Sequence, residues 1–145
     1  MAVTATPIFI QTPKITPQSF IQGTDAAGTL KTLFTAGANG SKISAVLCNT
    51  TDGTATHLLT LYLTRSAVDY PIINYTLPIN VGGDGSTASI DLLAGGPSNL
   101  LAGLPIDNDG QKYILMESGD TLRATFATAL TAGKAIYMHT IGGNF

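Results

Sequence analysis

The side chains in this sequence that could do chemistry are few and far apart. His57 and His139 are the two histidines and Cys48 is the single cysteine. A transition-metal site gathers His, Cys or carboxylate ligands at short, repeated intervals. Neither histidine has a second ligand at such spacing, so each is expected to be structural or at the surface. Cys48 stands beside Asn49 outside any nucleophile signature and should behave as a small hydrophobe. Asp107-Asn108-Asp109-Gly110, with Glu117 downstream, has the beginnings of a calcium loop. Such a loop needs a further oxygen ligand and a glycine in sixth place, whereas Gln111 follows Gly110 directly, so an Asp-Gly turn into a strand at Lys112 accounts for it. Gly82-Gly83-Asp84-Gly85 lacks the Lys-Ser/Thr and the helix that follow a phosphate-cradling loop, and is expected to be a flexible loop. No catalytic residue, metal or cofactor is therefore expected, and the chain reads as non-enzymatic.

The chain is equally sparing with charge. Of its 145 residues 11% are charged, against about 25% in average soluble domains. With 44% hydrophobic residues and a mean hydropathy of +0.27 it is not a disordered sequence. No run approaches the roughly 18 or more apolar residues of a membrane helix. The apolar excess must lie in a core or between subunits. The net charge is −2, and the seven Lys and Arg are scattered from Lys14 to Lys134 without a basic stripe, so direct nucleic-acid binding is not expected. The opening Met-Ala-Val-Thr-Ala-Thr-Pro has neither a basic n-region nor a long apolar stretch, and a lone cysteine suits a reducing place of synthesis, so the expectation is a protein made in the cytoplasm. Asn39, Asn49 and Asn74 head glycosylation sequons that should then be silent.

Short runs rich in Leu, Ile, Val, Thr and aromatics, bounded by Gly, Asn or Asp, predict β-strands. Three follow one another between Leu30 and Thr64, with Asn39-Gly40 offering the positive φ of a hairpin loop. In the third of these, His57, Leu59, Leu61 and Leu63 share one face and Leu58, Thr60, Tyr62 and Thr64 the other. Tyr70 to Leu77, Lys112 to Met116, Thr121 to Thr128 and Lys134 to Ile141 complete the set, with Ser89 to Leu93 a helical turn or short strand. A last hairpin centred near Thr131 would set Arg123 opposite His139 and Thr125 opposite Tyr137. Residues 1–22 carry Pro7, Pro13 and Pro17 among Ile8, Phe9, Ile10, Ile15, Phe20 and Ile21. Proline removes ladder donors, so this stretch is expected to be an extended N-terminal arm or edge strand, laid on its own domain or across a neighbouring subunit. Residues 23–145 then form a single domain, an antiparallel β-sandwich or jelly roll of about eight strands.

The run Thr32-Leu33-Phe34-Thr35-Ala36-Gly37-Ala38-Asn39-Gly40-Ser41-Lys42-Ile43 resembles one found in small virion proteins of tailed bacteriophages. So do Gly119-Asp120-Thr121-Leu122, Ala132-Gly133-Lys134 and the closing Ile141-Gly142-Gly143-Asn144-Phe145. These are turn and strand residues, and they transfer no functional residue. The resemblance is to capsid cement or decoration proteins. It implies a β-sandwich or jelly roll that assembles as a homo-oligomer, a trimer ahead of a dimer, on the outer surface of the head, bridging major capsid protein subunits. The expected contact segments are the proline-bearing arm, with Ile8, Phe9, Ile10, Pro13 and Pro17, and the glycine-rich region, with Val81, Asp84, Leu92, Leu100, Leu101 and Leu104. A glycan-binding tail or receptor-binding module is the alternative, with Tyr70, Tyr75 and Tyr113 as its exposed aromatics.

Overall fold

Strands whose apolar side chains alternate must lay one face on a partner layer, and in the computed structural model of the chain they do so in two antiparallel sheets. The structure describes residues 10–83, 87–94 and 104–145. The strands are β1 (Thr12–Ile21), β2 (Lys31–Thr35), β3 (Ser41–Thr50), β4 (His57–Arg65), β5 (Val68–Leu77), β6 (Ile90–Asp91), β7 (Ile114–Met116), β8 (Thr121–Phe126) and β9 (Ala135–Asn144). One sheet has the order β1-β9-β3-β6, with β7 also paired to β3, and the other the order β2-β8-β4-β5. The all-β expectation holds, and β4 buries His57, Leu59 and Leu61 as its period-two pattern requires.

The core lies between the sheets. Phe20 of β1, Ile43, Val46 and Cys48 of β3, and Ile136 and Met138 of β9 face Leu59 and Leu61 of β4 and Leu122, Ala124 and Phe126 of β8. The Phe20 and Phe126 rings meet edge to face at 5.1 Å, the arrangement that the charge distribution of aromatic rings favours. One side of the sandwich is closed by β1 and β2: Gln18 Nε2 donates to the Thr32 carbonyl at 3.2 Å and Lys31 Nζ to the Ser19 carbonyl at 2.7 Å.

Two expected hairpins are corrected. The connection through Asn39-Gly40 joins β2 to β3, which belong to different sheets, and the connection near Thr131 likewise carries the chain from β8 in one sheet to β9 in the other. Arg123 therefore stands opposite Thr32 and Tyr62, and His139 opposite Pro17 and Leu47. The physical reason is that a turn signal reports positive φ, which Gly40 has at +89°, and says nothing about whether the next strand stays in the sheet. Gly40 is required on a second count, since a Cβ there would lie 2.7 Å from the Met116 carbonyl oxygen.

The first strand pairs within the chain. The β1–β9 ladder runs from Thr12 opposite Asn144 to Ile21 opposite Ala135, so the described part of the arm is an edge strand of its own domain. In the long connection after β5, β6 pairs with Leu47 and Cys48, and Gly82 and Gly83 press against β3. A Cβ at Gly83 would come within 2.2 Å of the Thr50 carbonyl oxygen, so this glycine serves close packing.

Candidate functional site

The residues considered for chemistry are occupied in structural work. His57 is fully buried, with Nδ1 3.0 Å from the Thr128 carbonyl oxygen and Nε2 3.1 Å from Oδ2 of Asp52. Asp52, five residues upstream, is a partner that ligand-spacing rules do not find. Its Oδ1 accepts the amides of Thr54 and Ala55, and its Oδ2 that of Thr131. Cys48 is buried, and burial pushes its thiol up, which suppresses the reactive thiolate. Asp107 Oδ1 caps its own turn by accepting the amides of Asp109 and Gln111. The Gln111 amide, with help from Lys42 3.6 Å away, holds its carboxyl below the usual carboxylate range. Among the described residues no cluster of three or more His, Cys, Asp or Glu could hold a metal ion.

What distinguishes the molecule is the contrast between its two outer faces. On the four-stranded sheet the outward side chains, Leu58 and Tyr62 apart, are largely polar: Thr60 Oγ1 donates to Asn74 Oδ1 at 2.8 Å, Thr64 donates to Asp69, and Arg123 Nη1 lies 3.3 Å from the same carboxylate. On the five-stranded sheet, register places Pro13, Ile15 and Pro17 of β1 beside Ile141 and His139 of β9, and these beside Ala45 and Leu47 of β3. Tyr137 and Leu115 extend this surface. Ile15 is 67% exposed and Leu115 53% exposed. Lys42 marks one end of this face, its Nζ resting 4.4 Å over the Tyr113 ring. Such an apolar surface is the kind that marks an interaction site.

The sheet edges are closed to casual pairing. Ladder parity points the even residues of β1 at β9 and turns the odd ones outward, and two of those, Pro13 and Pro17, have no N–H. Of the remaining odd positions, Ser19 donates its N–H to Gln18 Oε1 and Ile21 donates its N–H to Asp25 Oδ2. Ile15 is left with its N–H toward solvent. The opposite edge of that sheet is made of β6 and β7, two and three residues long, and β5 carries Pro71 at the edge of the other sheet. Short strands and edge prolines are the devices that keep sheets from extending into one another.

Of the contact residues expected from sequence, Pro13 and Pro17 stand exposed on this face, and half-buried Ile10 reaches it over Gly143, where a Cβ would meet Ile10 Cγ2 at 2.3 Å. Val81, Leu92 and Leu104 are corrected: they are buried in the core, because the described parts of the long connection turn these side chains inward. Ile8, Phe9, Asp84, Leu100 and Leu101 lie outside the described residues. Sequence reasoning missed Leu47 and Ile141 as companions of Ile15; the signal was the alternation in each strand, and what was missing was the pairing that lines those strands up. No protein-family model matches this chain and no curated protein is similar to it, so its surface is what bears on its role.

Proposed function

We propose that this chain is a non-enzymatic virion structural protein that cements or decorates a bacteriophage head, as a homo-oligomer bridging neighbouring major capsid protein subunits on the outer surface. The observation that carries it is the apolar outer face of the five-stranded sheet, set against a more polar opposite face and edges closed by proline and short strands. A protein with so few charges is suited to permanent partners, and repeated attachment of an oligomer multiplies modest contacts into tight holding. The finer fold we propose is a jelly roll. With β7 set aside, β1 pairs with β9, β2 with β8, β3 with β6 and β4 with β5, the ladder of one long hairpin rolled into two sheets. Viral shell proteins and lectins both use that fold, and this support is by analogy of fold alone.

The lectin side of that analogy keeps a tail or receptor-binding module as the second reading, favoured by one observation: Tyr70 is 51% exposed beside Pro71 on the β5 edge. The other aromatics it would need are engaged, Tyr75 against the core and Tyr113 under Lys42. Counting copies in purified particles by gel densitometry separates the two. Hundreds per particle are expected for a cement protein; a handful would favour the tail module, and absence from particles would reject both.

A further inference from the structure

The proposed assembly makes no use of His57, yet both of its ring nitrogens are held in a site sealed from solvent. Nδ1 faces the Thr128 carbonyl oxygen, which can only accept, so Nδ1 must carry a hydrogen. Nε2 faces Asp52, whose carboxyl group already takes three backbone amides, from Thr54, Ala55 and Thr131. A carboxyl surrounded by donors is ionised and likewise only accepts, so Nε2 must carry a hydrogen too. A neutral imidazole would turn a lone pair toward one of these oxygens in a fully buried site. β8 presents only the edge-on Phe126 ring, 6.3 Å away, and Asp52 is the charged group against the imidazole among the described residues.

We propose that His57 is an imidazolium ion paired with Asp52, a buried charge clasp joining the β3–β4 connection to the β8–β9 connection, and that loss of the His57 proton opens it. Both connections carry the chain from one sheet to the other, so the clasp ties the two sheets at one end of the sandwich. It reaches the start of β9 as well: the Asp52 amide donates to Thr50 Oγ1, and that hydroxyl donates to the Ala135 carbonyl at 3.2 Å.

Nitrogen NMR of the labelled full chain tests the clasp. With His139→Gln leaving a single histidine, both His57 ring nitrogens should show a directly bonded hydrogen at neutral pH, each exchanging slowly with solvent. A bare nitrogen at either position overturns the proposal. As the pH is raised until one ring hydrogen is lost, the protection factors of the Thr131 and Thr54 amides, taken against the intrinsic exchange rate at each pH, should fall by about tenfold or more. Unchanged protection of those amides would show that the proton holds nothing together and would equally overturn it.

Discussion

Asp52 and Asp120 are carboxylates that persist inside an apolar fold because donors surround each of them. Burial alone would raise the Asp52 carboxyl, but the amides of Thr131, Thr54 and Ala55 outweigh it and hold it well below the usual carboxylate range. The Arg65 guanidinium, bonded to both oxygens of Asp120 at 2.9 and 2.6 Å, lowers that carboxyl against its burial. A carboxyl lowered on folding contributes stability above its unfolded value, about 3.9, and that contribution is lost as the pH falls toward the folded value. Urea denaturation should therefore show a loss of stability that sets in as the pH falls below about 4. Asp52→Asn should make that fall shallower; an unaltered acid limb would contradict the assignment. At pH 7 the same variant should lose about 3 kcal/mol, because its amide nitrogen would face the donors of Thr131 and His57.

At the scale of elements, β1 shows how a strand can belong to a sheet and still end it. Its even residues bond to β9 while Pro13 and Pro17 deny donors to anything outside. Replacing both prolines with valine should leave the domain folded and raise its aggregation rate, read by light scattering at fixed concentration; equal rates would mean that the prolines do not guard this edge. The Gly82-Gly83 stretch works in the opposite sense, drawing the long connection onto β3. Gly83→Ala puts a methyl against the Thr50 carbonyl and should destabilise by about 1–3 kcal/mol in chemical denaturation.

For the whole molecule, the question is where its apolar excess goes, and the two outer faces answer differently. The core takes most of it, and part of the rest lies on one face around Ile15, opposite Ile141 in the ladder. Ile15→Glu should change folding stability by no more than about 0.5 kcal/mol, since the side chain is exposed in the isolated chain. If that face meets the partner, the same variant should lose occupancy on particles, counted by densitometry, and shift toward monomer in sedimentation. Full occupancy with glutamate in place would move the contact elsewhere.

Much of this was legible before any fold was known. Alternation is local, so the inward set of β4 and the approximate extents of β3, β5 and β8 could be read from side-chain order alone. The low charge was equally plain in the residues. Tertiary structure alone decided which strands are neighbours. It parted β8 from β9, brought Asp52 and Thr128 to His57, turned Val81, Leu92 and Leu104 inward, and lined up Ile15, Ile141 and Ala45 as one surface. Pairing of strands far apart along the chain follows from how two sheets bury their apolar faces against each other, and no short stretch of residues contains that information.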